Sequence, residues 1–178
     1  MTMAPRLRRL ALTAHITSSV GWLGAVMCSL ALAVIGILSR DAQTVRGVYL
    51  TLELTGWFVL VPLSLASLLT GLVQSMGTTW GLVRHYWVLI KLLMNVSATI
   101  VLLLYTQTLS YLAGVAESTS SSGDLNGLRS PSPVIHAGAG LLLLLMATTL
   151  SVYKPRGMTR YGQRKQHEQR AQPQRVLS

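Results

Sequence analysis

The stretch LALTAHITSSVGWLGAVMCSLALAVIGIL, residues 10–38, is apolar over most of its length and contains no aspartate, glutamate, lysine or arginine. An α-helix rises 1.5 Å per residue, so about 20 residues cross a hydrocarbon core of about 30 Å. Three further apolar runs reach this length, at residues 48–76, 86–113 and 134–153. The sequence therefore predicts an all-α chain that forms an antiparallel four-helix transmembrane bundle.

The composition leaves little room for a second domain. The chain has 178 residues, of which 51% are hydrophobic and 11% are charged, whereas a soluble domain carries about 25% charged residues. We expect a short basic leader at residues 1–9, one membrane domain at residues 10–153, and a basic, disordered tail at residues 154–178.

The net charge of +10 is distributed by side of the membrane. Eleven of the fifteen lysines and arginines precede the first run, follow the last, or lie between the second and third. Three lie in the other two connections, and Lys91 lies within the third run. The positive-inside rule then places both termini in the cytoplasm of a multi-pass protein of the cell membrane. We expect the basic tail to contact anionic lipid headgroups and not nucleic acid.

Several chemistries lack their motifs in this chain. Cys28 is the only cysteine, which excludes an intrachain disulfide, and no Cys-x-x-Cys pair exists. No His-Glu-x-x-His metal motif, P-loop or Gly-x-Ser-x-Gly motif is present. We therefore expect no dedicated metal site, and hydrolase and ATPase functions are unsupported; whether the chain is an enzyme stays open.

Polar side chains within the runs form two groups by depth. His15 and Lys91 lie about six residues from the same membrane face, with His85 at that surface. His136 and Glu53 enter from the opposite face. Since ionisable groups in a membrane are costly, each is a candidate for function. For Lys91 the alternative is that its stem extends to the nearby surface.

The inner group suggests a cofactor and the outer pair a proton relay. Histidine is a common haem ligand, and helix bundles build cofactor sites from inward-facing side chains. Lys91 at this depth could bind an acidic group such as a propionate, or act as a second ligand. Glu53 and His136 could share a hydrogen bond and pass a proton.

Three segments resemble a bacterial membrane superfamily that includes the HemJ-type protoporphyrinogen oxidases and the membrane domain of copper-resistance protein D. His15 followed by Trp22-Leu23-Gly24 resembles its "His, six residues, Trp-x-Gly" opening. Thr70-Gly71-Leu72 and Trp87-Val88-Leu89-Ile90-Lys91-Leu92 resemble its Thr-Gly-Leu and Trp-x-x-x-Lys-Leu segments. The continuation Ala25-Val26-Met27-Cys28 lacks the aromatic and arginine residues of HemJ-type proteins, which argues against their oxidase activity.

The resemblance implies that His15 and Lys91 bind haem b. By their positions in the runs, His136 is an outer ligand or proton relay and His85 is a further candidate for cofactor binding. The leading hypothesis is thus a small haem- or tetrapyrrole-binding membrane protein with a redox role. The alternative is a cofactor-free accessory subunit that packs against a partner membrane protein or a second copy of itself. A third hypothesis is copper passage along Met27 and Cys28.

Overall fold

Four membrane-length helical segments make up the computed structural model. It describes residues 4–77, 85–118 and 129–153, together with residues 157, 159, 163 and 164; these residues include no β-strand. The helices are α1 (Pro5–Leu38), α2 (Ala42–Thr55), α3 (Val61–Gly77), α4 (Tyr86–Ser118) and α5 (Ser132–Tyr153), and a π-helical turn (Gly56–Leu60) joins α2 to α3. The four spans are long and apolar enough to cross a membrane, which confirms the four predicted spans.

The helices extend beyond the apolar runs. α1 begins at Pro5, five residues before the first run, because proline suits a first helical turn and the arginines that follow are good helix formers. α4 continues to Ser118, five residues past the predicted end. Of the tail predicted to be disordered, all but Gly157, Thr159, Gln163 and Arg164 lies outside the described residues.

The π-helical turn lies directly before Pro62. The backbone N–H of Val61 bonds to the carbonyl of Gly56, five residues back, instead of four. Proline has no N–H, and its ring disturbs the turn that precedes it. A proline in the middle of an apolar run favours a kink, and the structure accommodates Pro62 as one wide turn within a continuous span.

The four spans pack as a bundle in which α1 and α4 are separated by the other two. α1 packs against α2, α3 and α5, and α4 packs against the same three helices. Trp22, Val26, Leu60 and Leu144 form the buried cluster at the centre of the bundle. At Gly36 of α1 an added Cβ would lie 3.0 Å from Val48, so α1 and α2 approach as closely as a glycine permits.

The outer surface of the bundle is apolar, as a lipid-facing surface must be. Phe58 is 75% exposed and Leu104 is 68% exposed. Met27 and Cys28 are also exposed. A cysteine within an apolar run is usually a small buried side chain. Cys28 is instead exposed, because its position on α1 faces away from the helices that pack there.

Candidate functional site

His15 lies in a niche between α1 and α3. Its Nδ1 atom is 3.1 Å from the carbonyl oxygen of Ser67 and 3.1 Å from Oγ1 of Thr70. A carbonyl oxygen only accepts, so Nδ1 carries the proton and donates it. The Thr70 hydroxyl donates to the carbonyl of Ala66 at 2.6 Å, which leaves its oxygen free to accept from His15. The lone pair of the imidazole is therefore on Nε2.

Gly71 makes room for the imidazole. A Cβ atom built there would lie 3.1 Å from Cε1 of His15, closer than side chains tolerate without movement. Ser19, one turn beyond His15, adds a hydrogen bond of 2.8 Å to the hydroxyl of Ser67. The Thr70-Gly71 segment and His15, two of the three segments singled out in the sequence, are thus brought into contact.

Lys91 lies at the same end of the bundle. It is half-buried on α4, and it has no hydrogen bond or ion pair in the described part of the chain. Its charge acts on the imidazole of His15. The structure therefore brings His15 and Lys91 within electrostatic range of one another. His85 directly precedes α4, and its carbonyl accepts hydrogen bonds from the N–H groups of Val88 and Leu89.

His136 lies at a second site, on α5. Its ring stacks on Tyr105 of α4 with centroids 3.9 Å apart and an angle of 12° between the planes. Nδ1 donates to the carbonyl of Ser132, one turn earlier, at 2.9 Å. The Ser132 hydroxyl donates to the Tyr105 hydroxyl at 3.2 Å. Nε2 of His136 and the proton of the Tyr105 hydroxyl are therefore both left for a ligand.

Tyr105 and His136 border a cavity of about 250 Å³ between all four spans, which we call the bundle cavity. Its walls are apolar. Trp22, Leu60, Tyr105, His136 and Gly140 are among the residues that line it. Sequence reasoning found His136 and Trp22 but missed Tyr105 and Ser132. No spacing signal was available for them, because tyrosine and serine near a membrane surface are common.

The two histidines are too far apart to share one ion. A Cβ at Gly140 would lie 3.9 Å from Val26, and Arg129 donates to the carbonyl of Ser39 at 3.4 Å. His136 lies between residues 129 and 140, so it is level with the part of α1 between Val26 and Ser39. His15 is eleven residues before Val26, which at 1.5 Å per residue is roughly 16 Å.

The predicted pairing of Glu53 with His136 has no hydrogen bond or ion pair to support it. Glu53 is half-buried on α2, and its carboxylate makes no such contact with any described residue. No group of three or more histidine, cysteine, aspartate or glutamate side chains that could hold a metal occurs in the described ranges either. Among the residues that the structure describes, the side chains that could bind a metal therefore do not form a cluster of three or more.

A tetrapyrrole site needs a free axial ligand and a cavity that holds the ring, and each histidine provides only one of the two. His15 has the free Nε2 of an axial ligand, but it does not border the bundle cavity. His136 borders the cavity, but the cavity volume of about 250 Å³ is small for four linked pyrrole rings, since a cavity of about 150 Å³ holds one benzene. The bundle cavity as it stands fits a ligand of one or two rings.

Comparison with known proteins gives no relative: no family model, curated protein or solved structure matches this chain.

Proposed function

We propose that this multi-pass membrane protein binds a membrane-soluble aromatic ligand with hydroxyl or carbonyl oxygens, the class that includes quinones and hydroquinones. The observation that supports it is the stacked pair of His136 and Tyr105 at an apolar cavity. A cavity lined mostly by apolar side chains with a few convergent polar groups is typical of a small-molecule site. The size favours one or two aromatic rings.

The two polar groups have complementary roles. Because Nδ1 of His136 donates to Ser132, its Nε2 accepts a hydrogen bond from a ligand hydroxyl. Tyr105 accepts from Ser132, so its own hydroxyl donates to a ligand carbonyl or hydroxyl oxygen. One acceptor and one donor beside each other suit an aromatic hydroxyl, and the apolar walls suit its rings.

We further propose that the bundle is antiparallel with both termini in the cytoplasm of the cell membrane. The distribution of lysine and arginine supports this orientation. The bundle cavity then lies toward the outer half of the membrane, and His15 with Lys91 toward the inner half. A ligand dissolved in the bilayer reaches the cavity from the side, where His136 is exposed.

Fluorescence of Trp22 tests the proposal, because this side chain is 3% exposed and borders the cavity. The full chain in neutral detergent is titrated with menadione, a two-ring quinone. We expect saturable quenching that the Trp22→Phe variant lacks. Tyr105→Phe removes one hydrogen bond and should weaken binding about threefold to tenfold. Gly140→Leu places a side chain at the cavity wall and should abolish binding.

Tyr111→Phe is the matched control, because Tyr111 lies on the same helix but is 70% exposed. It should bind menadione as the unaltered chain does. Non-saturable quenching, or equal effects of the Tyr105 and Tyr111 substitutions, would contradict the proposal. A chain that binds no aromatic ligand and co-purifies with a second membrane protein would instead support the accessory-subunit hypothesis.

A second candidate is binding of haem b through His15 with a redox role. It is supported by the fixed Nδ1 proton, which leaves the lone pair of Nε2 of His15 free to bind iron, and by the nearby charge of Lys91, which suits a propionate. When bound, the haem would supply one-electron chemistry, and His15 and Lys91 would hold and orient it.

The absorption spectrum of the purified chain, oxidised and then reduced with dithionite, tests this candidate. A reduced b-type band that His15→Ala removes and His136→Ala leaves unchanged would support it. A band that survives His15→Ala would contradict the ligand assignment. A chain that stays colourless after haem supplementation would exclude haem altogether.

A further inference from the structure

Two hydrogen-bond donors lack partners at the end of the bundle where α3 ends and α4 begins. The Nε2 atom of Gln74 on α3 is buried and has no hydrogen-bond partner among the described residues. Lys91 on α4 is half-buried and has no hydrogen bond or ion pair with a described residue. Buried polar groups are nearly always paired, and an unpaired one is costly. Both side chains therefore have unused capacity to donate.

The two donors lie at one level of the bundle. Gly56 packs against Leu109, where an added Cβ would be 3.2 Å from its side chain. Arg46, ten residues before Gly56, donates to the carbonyl of Ala116, seven residues after Leu109. α4 therefore runs in the opposite direction to α2 and α3. Gln74 lies eighteen residues after Gly56, and Lys91 lies eighteen residues before Leu109, so both are displaced toward the same end of the bundle by the same number of residues.

His15 joins this group through α3. Gln74 is one turn beyond Thr70 and Gly71, which both contact the imidazole, so it lies on the same face of α3. Lys91 acts electrostatically on the same imidazole. An amide, an ammonium and an imidazole from three helices therefore lie near one level at the same end of the bundle.

This end of the bundle is positive and has no described carboxylate to balance it. Arg8 lies two turns before His15 on α1 and is exposed. The described acidic residues lie elsewhere: Asp41 precedes α2, Glu53 precedes the π-helical turn, and Glu117 is at the far end of α4. The N-terminus of α4 adds a partial positive charge.

We infer that Lys91 and Gln74, beside His15, bind an anionic oxygen group, a phosphate or a carboxylate. The site is separate from the bundle cavity and does not depend on its ligand. Lys91 is five residues inside α4, roughly 7.5 Å from its start, a depth that its side chain spans toward a headgroup. The anion is either the phosphate of an acidic lipid or a soluble anion.

Binding of phosphatidylglycerol to the full chain in neutral detergent, followed by native mass spectrometry and by the thermal midpoint, tests the inference. A second arm uses inorganic phosphate, and phosphatidylcholine serves as the neutral lipid. Lys91→Met removes a charged donor and should weaken anion binding about tenfold or more. Gln74→Leu removes a neutral donor and should weaken it about threefold to tenfold.

Controls separate this site from general attraction to a basic protein. Arg40→Met removes one charge at the other end of α1, and Gln107→Leu removes an exposed amide from α4; both should bind as the unaltered chain does. Lys91→Arg should retain binding, which shows that folding is intact. Stabilisation by phosphatidylglycerol alone identifies a lipid, and stabilisation by phosphate identifies a soluble anion. Equal losses in Lys91→Met and Arg40→Met, or no binding of either anion, would overturn the inference.

Discussion

The imidazole of His15 donates to the carbonyl oxygen of Ser67, 3.1 Å away on another helix. A carbonyl inside a helix already accepts a hydrogen bond from its own helix, so His15 donates to the second lone pair of the Ser67 oxygen. Inside a membrane this contact has no competition from water. It joins α1 to α3 and determines which nitrogen of His15 carries the proton, and thus which one a ligand would meet.

Replacing Gly71 with alanine should disturb the niche. The new Cβ would lie 3.1 Å from Cε1 of His15, so either the ring or the helices must move. We expect a loss of about 1–3 kcal/mol in the free energy of unfolding, as is typical of overpacking. Gly138→Ala is the control, because no atom lies within 4 Å of its added Cβ. Unfolding in mixed micelles measures both; equal stability of the two variants would show that the niche is not tightly packed.

Removing the hydroxyl of Thr70 should destabilise the packing of α1 on α3, because one hydrogen bond of His15 is lost. In Thr70→Val the imidazole keeps the Ser67 carbonyl but loses its second acceptor. We expect a destabilisation of about 0.5–1.5 kcal/mol, the usual worth of one hydrogen bond. Thr149→Val is matched, since Thr149 bonds only to the carbonyl of Leu145 on its own helix. If both valine variants unfold alike, the contact between Thr70 and His15 contributes nothing.

Asp41 should make the stability of α2 depend on acidity. Its Oδ2 accepts from the Thr44 hydroxyl at 2.7 Å and from the Thr44 N–H at 2.8 Å. These hydrogen bonds, that of the hydroxyl first, hold the pKa of Asp41 below its usual 3.8. Because its pKa is lowered on folding, Asp41 contributes its full share to stability above its unfolded-state pKa. That contribution is lost as the pH falls through its folded-state pKa.

Circular dichroism from pH 6 to pH 2 measures this dependence. Asp41→Asn keeps a side-chain oxygen that can cap α2 but does not titrate in this range. The difference in stability between the two proteins should be constant above pH 5 and should change below about pH 4. A difference that changes near neutral pH would point to another group.

The proposed orientation predicts which engineered cysteines react from outside the cell. In a Cys28→Ser background, Arg40→Cys lies between α1 and α2, and Gln163→Cys follows α5. A membrane-impermeant maleimide should label the first in intact cells and the second only after lysis. The reverse pattern would place both termini outside. Native Cys28, exposed on an apolar surface within a span, should stay unlabelled because a charged, membrane-impermeant reagent does not enter hydrocarbon.

The four spans were predictable because each signal is local and strong. About twenty consecutive apolar residues cannot be left in water, and a helix is the only way for one segment to satisfy its backbone in lipid. Helix ends were less predictable, as Ser118 shows, because polar residues continue a helix once it has formed. A disturbance of the helix at Pro62 follows locally from the missing N–H of proline, whereas its form as a π-helical turn depends on the neighbouring helices.

The sequence by itself determined which segments enter the membrane and placed His15 and Lys91 at similar depth. Tertiary structure alone decided that Gly71 admits the imidazole and that Tyr105 stacks on His136. It also decided that, among the described residues, Glu53 has no hydrogen bond or ion pair and Nε2 of Gln74 has no hydrogen-bond partner. The physical reason is that depth follows from counting residues along one helix. The direction of a side chain follows from the rotation of that helix, which is set by packing against its neighbours.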